Sequence, residues 1–417
     1  ENVNNTSENN MQIVEDKALL LTLQNPKQIT TVIPKSKELS LNKVVVNWGV
    51  DEAHTLQSLN IRVPSPIEKQ YRWVGKFTPY QHQKDTASFL TMNKKAFCFN
   101  EQGTGKTASA IWAADFLMQK KIINRVLVIC PLSIMDSAWR NDLFSFAMHR
   151  TVDVAYGNKE KRAKIINNGA DFVIINYDGV EVVKDVIANG GFDLIIVDEA
   201  THYKNVQTKR WKTLKKLVNE DTWLWMMTGT PAAQSPLDAY GLAKMVNPLQ
   251  VPRFFGTFRE QVMYRVTQFK WVAKDTAKST VFAALQPAIR FTKEQCLDLP
   301  DMVYTKRKIE LTTQQKKYYE MLRKRMVMQV AGEHITAVNA AVNINKLLQI
   351  SAGAIYTDDG DSIQFDISNR YKVLREVIDE CSQKVLVFVP FRHTIDMLAD
   401  KLTSDGITSD IIRGDVR

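Results

Sequence analysis

Residues 100–107 read Asn-Glu-Gln-Gly-Thr-Gly-Lys-Thr. Such a segment can wrap phosphate. Gly103 and Gly105 let the chain curl until backbone N–H groups face phosphate oxygens. Lys106 would reach the β- and γ-phosphates, and the Thr107 hydroxyl would ligate Mg²⁺. The expected nucleotide-binding residues of the loop are Gln102, Gly103, Thr104, Gly105, Lys106 and Thr107. A Walker A loop begins with Gly, whereas this chain has Asn100. Alone, the segment also reads as a glycine-rich turn that caps a helix. A second feature weighs against that reading: the apolar run 192–197 leads straight into Asp198-Glu199. A carboxylate at a strand end beside a phosphate loop holds Mg²⁺, usually through water. The next carboxylate can activate the attacking water. Lys106, Asp198 and Glu199 are therefore the expected catalytic set, with Thr107 and Asp198 on the metal side.

These groups need a scaffold that brings them together. Five apolar runs, 96–99, 126–130, 172–175, 192–197 and 223–227, alternate with helical stretches. They are apolar throughout, as strands buried on both faces must be. Each is followed at once by polar or glycine-rich residues. In an open parallel sheet the ligand site lies at the carboxyl ends of the strands. The polar segments should thus converge on one edge, and the fold class is α/β.

The division along the chain follows from composition. Residues 1–10 are polar and asparagine-rich and are expected to form a disordered tail. Residues 11–70 read as a small N-terminal accessory region, with strands at 18–23 and 44–48 and a helix at 51–59. Residues 71–234 read as a first ATP-binding lobe. Residues 235–300 read as a helical insertion and linker. A second α/β segment covers 301–417, with strands at 304–311 and 385–389 and helices at 313–330, 336–350, 371–381 and 394–402.

Lysine and arginine total 55 against 45 acids, a net charge of +10. That excess suits a polyanionic partner. No apolar run approaches the ~18 residues of a membrane helix, and the start lacks a charged-then-apolar leader. The four cysteines lie far apart without CxxC spacing, which argues against zinc or a disulfide framework. Cys98 and Cys130 read as small buried hydrophobes.

Over residues 77–417 the motifs resemble the Swi/Snf-type DNA translocases of helicase superfamily two. Phe77-Thr-Pro-Tyr-Gln-His-Gln is similar to that family's adenine-reading segment, which places Gln81 at the purine. Val128-Ile-Cys-Pro-Leu-Ser with Trp139 resembles its CPLS…W motif, and Asn176-Tyr177 its TTY segment. Asp198-Glu-Ala-Thr-His-Tyr-Lys-Asn resembles DEAHxxKN, and Thr228-Gly229-Thr230-Pro the TGTP coupling motif. Arg290-Phe-Thr-Lys with Leu299-Pro300 is similar to RRTK…LP, and Leu347-Leu-Gln-Ile to LRQI. There are departures: Thr201 replaces a His, Phe291 replaces an Arg, and Gln234 or Ser235 stands where Asn often follows TGTP.

The resemblance implies two RecA-like parallel-sheet lobes, ATP and Mg²⁺ as cofactors, and double-stranded DNA as partner. It implies DNA contacts for Pro131, Ser133, Trp139, Tyr177, Lys204 and Asn205, and coupling for Thr228, Gly229 and Thr230. It also implies that the family's later second-lobe motifs, arginine fingers included, lie past the last residues here, so the second lobe is expected to be truncated. A monomer in the cytoplasm of a bacterial or phage-infected cell is the expected setting, or the nucleus if the source is eukaryotic. For Trp139 a packed helix residue remains the alternative, and for the basic run 209–216 a solvated helix face. Two other functions stay open: a strand-separating helicase or RNA-dependent ATPase, and a nucleotide-gated DNA-binding module without turnover.

Overall fold

A computed structural model describes residues 11–232, 234–268, 270–296, 303–332, 337–356, 362–381 and 383–414. The expected tail 1–10 and the Leu-Pro pair at 299–300 lie outside these residues. The chain divides into two units, Glu1–Leu299 and Pro300–Arg417.

The first unit opens with β1 (Met11–Val14), β2 (Ala18–Thr22), β3 (Lys37–Ser40) and β4 (Lys43–Asn47). They pair antiparallel in the order β1-β2-β4-β3. Alternation along β2 and β4 turns Leu19, Leu21, Val44 and Val46 to one face. There they meet Trp48, Ile29 and Leu56 in a small core.

The main sheet comprises β5 (Lys95–Cys98), β6 (Val126–Cys130), β7 (Val152–Val154), β8 (Phe172–Asn176), β9 (Leu194–Val197) and β10 (Trp223–Met227). A hairpin, β11 (Met263–Arg265) with β12 (Trp271–Ala273), precedes the last sheet strand, β13 (Ala288–Ile289). The seven strands run parallel in the order β13-β5-β10-β9-β6-β8-β7. Phe97, Leu127, Ile129, Val173, Ile195, Val197 and Met226 pack on one face. Their strand neighbours Ala96, Cys98, Val128, Ile174, Ile196, Trp225 and Met227 pack on the other. That two-sided burial is why these strands read as unbroken apolar runs. Cys98 and Cys130 are fully buried, and burial pushes the Cys98 thiol up to about 11.

The order places the chemistry. From β5 the chain crosses to β6, and β9 and β10 later fill the gap between them. The segments that follow β5, β10, β9 and β6 therefore lie side by side at one edge. The expected helical stretch 235–300 does carry helices, Asp238–Val246, Phe255–Val262 and Ala277–Ala284. It also carries the β11–β12 hairpin and β13, which extends the sheet beside β5.

The second unit contains the helices Thr313–Gly332, Ala337–Ala352, Ser368–Glu380 and Arg392–Ser404, close to the expected ones. β14 (Ala354–Tyr356) and β15 (Ser362–Gln364) pair antiparallel in a hairpin not expected from the sequence. Ala354, Ile367, Met397 and Leu398 form its buried core. The strands expected at 304–311 and 385–389 are not formed: among the described residues neither segment has a ladder partner. Leu386 and Phe388 are exposed there. Apolar β-formers become a parallel strand only with a paired neighbour and cover on both faces. The parallel RecA-like sheet is thus found in the first unit.

Candidate nucleotide site and its surroundings

The phosphate loop begins where β5 ends. Gly103 and Gly105 both take left-handed backbone, with φ of 84° and 83°. At Gly105 a Cβ would lie 2.0 Å from Gln83 Nε2, which would have to move aside, and the left-handed backbone itself favours glycine. Gly105 caps the helix Lys106–Gln119, whose first turn holds Lys106 and Thr107. Lys106 is buried, and its ammonium makes no side-chain hydrogen bond or ion pair among the described residues.

Asn100 explains the departure from a Walker glycine. It is 1 % exposed. Its Nδ2 donates to Thr86 Oγ1 at 2.8 Å, and its Oδ1 accepts the Phe291 N–H at 3.0 Å. The segment after β13 thereby docks on the loop. Glu101 N–H donates to the Phe291 carbonyl at 3.0 Å, and the Glu101 carboxylate accepts the Lys293 N–H at 3.0 Å.

The helix Gln81–Thr91 touches the loop through His82 and Gln83, whereas Gln81 is the residue expected at the purine. Gln81 points away and donates to Asp85 at 2.7 Å, one helical turn on. His82 donates to the Thr104 carbonyl at 2.8 Å, and Gln83 reaches the same carbonyl at 3.3 Å. The signal was helical spacing: His82 and Thr86 sit four apart on the buried face.

Asp198 follows β9 and is buried. Its Oδ1 accepts the Glu199 N–H at 2.9 Å, and its Oδ2 accepts the Trp139 indole N–H at 2.9 Å. Burial raises the carboxyl above the ordinary range, while the two donors and the Lys106 ammonium pull it back. Glu199 takes left-handed backbone, φ 48° and ψ 54°, which is costly for a residue with a Cβ. Its carboxylate then lies between the phosphate loop and the coupling segment: Gln102 Nε2 and Thr228 Oγ1 are each 3.4 Å from it. Thr228 is fully buried, and Thr230 N–H donates to its hydroxyl at 3.3 Å. A Cβ on Gly229 would lie 3.6 Å from Gln102 N, so the segment Thr228–Thr230 runs against the loop.

The residues expected at DNA fall into two groups. Trp139 and Tyr177 are interior. Trp139 is fully buried, and its N–H is committed to Asp198, so it presents nothing to a DNA backbone. The Tyr177 hydroxyl donates to the Asp198 carbonyl at 2.6 Å. The Tyr177 ring packs on His202 at 4.5 Å and under Arg210 at 4.9 Å. Pro131, Ser133, Lys204 and Asn205 reach the surface. Lys204 donates to Gln234 at 2.8 Å and pairs with Asp238 at 3.3 Å. Asn205 accepts the Gln207 N–H at 2.9 Å in a tight turn.

In the helix Lys209–Leu217, Trp211 is anchored through its indole to the Gly241 carbonyl at 2.9 Å. Lys209, Lys212 and Lys216 form an exposed stripe. It lines a cavity shared with Glu181 and Asp185.

Thr107 and Asp198 offer oxygen donors only, the ligand type Mg²⁺ prefers. Each Asp198 oxygen has one hydrogen bond and keeps acceptor capacity. Two protein oxygens with substrate phosphates suit that ion. Among the described residues no cluster of three His, Cys, Asp or Glu could hold a metal by itself.

A glycine-rich phosphate loop and an acidic strand end, with the Thr228–Thr230 segment beside them on one edge of a parallel sheet, define a nucleotide-binding α/β domain. Residues 80–352 match the family model described as SNF2-related domain. The chain belongs to that family of helicase-like, DNA-dependent ATPases. Among its relatives is a phage protein, p41 of Acyrthosiphon pisum secondary endosymbiont phage 1. It is 25% identical over 341 residues, covering 77% of this chain and 74% of that protein. Chromodomain-helicase-DNA-binding protein 1-like of Mus musculus is 24% identical over 388 residues, covering 87% of this chain and 42% of the relative. The Sulfolobus solfataricus SWI2/SNF2 ATPase core in complex with dsDNA aligns with a TM-score of 0.49 at 22% identity, covering 80% of this chain and 71% of that one. Among the described residues no helix is long and apolar enough to cross a membrane.

Proposed function

We propose that this chain is an ATP-driven motor that moves along double-stranded DNA. The observation that carries the reading is the position of Glu199, between Gln102 of the phosphate loop and Thr228 of the coupling segment. Loop N–H groups and Lys106 bind the triphosphate. Glu199 orients water for in-line attack on the γ-phosphate. Mg²⁺, held on the side of Thr107 and Asp198, supplies charge neutralisation. Residues 71–234, with β13 added, serve as the ATP-binding lobe, and residues from 301 onward contribute to a second. The Thr228–Thr230 segment, packed on both loop and base, transmits the nucleotide state.

The net charge of +10 suits contacts with the DNA backbone rather than with bases. Ser133 and Asn205 are exposed, and Lys204 is partly exposed. These three are the proposed phosphate contacts. The substrate read here is naked or branched DNA, in the cytoplasm of a bacterial or phage-infected cell, or in the nucleus if the source is eukaryotic.

The test is steady-state ATP hydrolysis with duplex DNA, single-stranded DNA and RNA at matched concentrations. Duplex DNA should stimulate most, with an affinity that is sequence-independent and falls steeply with salt. Greater stimulation by RNA or single strands would assign the chain to the strand-separating or RNA-dependent branch. Binding without turnover would leave a nucleotide-gated DNA-binding module.

A further inference from the structure

Two donors fix the Asp198 carboxylate, one on each oxygen. One is the backbone of the next residue. The other arrives from Trp139, on a different element 59 residues away in sequence. How the chain delivers that indole is visible. β6 and β9 are neighbours, with Ile129 opposite Val197, and the Asp198 N–H donates to the Ile129 carbonyl at 2.9 Å. The strand ends are therefore adjacent. After β6 the chain makes a 3₁₀ turn, Leu132–Ile134, and then a π-helical turn, Met135–Arg140, before the α-helix Asn141–Phe146. A π turn is rare and frequently sits at functional sites. Here it carries Trp139, with Met135 and Leu143 beside it in the core.

A buried indole N–H needs an acceptor. An ordinary packed tryptophan finds a backbone carbonyl, as Trp112 does at Val74 and Trp225 at Asn93. Trp139 instead spends its donor on a buried carboxylate. A charge-assisted bond of this kind is stronger than a neutral one and sets direction. Without it, the carboxylate could rotate about its χ2 torsion, which is broad.

We propose that Trp139 is a positioning residue. Its indole N–H holds the Asp198 carboxylate in the orientation that leaves the remaining lone pairs for Mg²⁺ with the bound nucleotide. This rests on the reading of Asp198 as the metal-side acid. Loss of the N–H should weaken the Mg²⁺-dependent part of nucleotide binding and spare the metal-free part.

The test compares Trp139→Phe, Asp198→Asn and the double variant. The readout is equilibrium binding of a fluorescent ATP analogue, in EDTA and across a Mg²⁺ titration. Trp139→Phe should raise the half-saturating Mg²⁺ concentration by ~10-fold or more, the scale of one hydrogen bond to a charged group. Its affinity in EDTA should stay within about 2-fold of wild type, because the metal-free contacts are unchanged. Asp198→Asn should shift the Mg²⁺ midpoint further. Adding Trp139→Phe to Asp198→Asn should do little more, since both changes act through one carboxylate.

If Phe at this site does not fold, β-(3-benzothienyl)alanine placed at residue 139 keeps the ring shape without the donor and should give the same shift. An unchanged Mg²⁺ midpoint in the donor-free variants, beside a shifted one in Asp198→Asn, would overturn the positioning role alone. Unchanged Mg²⁺ dependence in Asp198→Asn would overturn the metal-side reading as well.

Discussion

The Asn100 side-chain carbonyl accepts the backbone N–H of Phe291 at 3.0 Å, 191 residues further along the chain. The same amide donates to Thr86 at 2.8 Å. One buried side chain thus joins the phosphate loop, the helix Gln81–Thr91 and the segment after β13.

Asn100→Gly would restore the ordinary first residue of a Walker loop. It should nonetheless do harm, because it leaves the Phe291 N–H without its acceptor and takes one of the two hydrogen bonds from the Thr86 hydroxyl, which keeps only its bond to the His82 carbonyl. The expected cost is about 1–3 kcal/mol of stability, with weaker nucleotide binding as the loop loses its brace. Thermal unfolding and nucleotide titration measure both. A more stable variant with unchanged affinity would show that Asn100 merely fills space.

Glu199 holds left-handed backbone at φ 48°. Such strain persists at sites where function demands it. Glu199→Gly removes roughly 1 kcal/mol of that strain together with the carboxylate. The variant should unfold at or above the wild-type temperature while losing turnover by about 10²-fold or more. A drop in both stability and turnover would mean that the Glu199 side chain serves chiefly as packing.

Asp142 gives a pH signature. Burial raises its carboxyl from the usual 3.8 to about 6. The folded chain therefore binds the extra proton between these values, and stability from this group is present at low pH and lost as pH rises from about 4 to 6. Asp142→Asn imitates the protonated form. It should be more stable than wild type at pH 8, by on the order of 1–2 kcal/mol, and the gap should narrow as pH falls to 5. Denaturant melts at the two values decide it, and a gap that widens toward pH 5 would contradict the assignment.

How much could be read in advance depended on where each signal lay. The central strands were legible because burial on both faces leaves unbroken apolar runs, as in Val126–Cys130 and Trp223–Met227. The edge strands Val152–Val154 and Ala288–Ile289 were not, being short and half-buried, one of them with Asp153 at its centre. The loop and the acidic pair were legible because phosphate chemistry restricts residue types locally. Trp139 was found by its motif but given to the wrong neighbour, since its contact with Asp198 is set by folding and not by spacing. Gln81, His82 and Gln83 differ by one helical step each, and only the packed helix shows that the latter two face the loop. In the second unit the helices Ser368–Glu380 and Arg392–Ser404 announced themselves by amphipathic spacing. The run 385–389 has strand-forming residues but no partner among the described ones.

The most direct test of the account compares ATP binding and duplex-stimulated turnover in Lys106→Ala and Glu199→Gln. In the proposed mechanism Lys106 meets the phosphates in the ground state, whereas Glu199 acts on the attacking water. Glu199→Gln should bind ATP as wild type does and lose turnover by about 10²-fold or more, and Lys106→Ala should lose binding and turnover together. Equal loss of ATP affinity in both variants would contradict the division of roles on which the site rests.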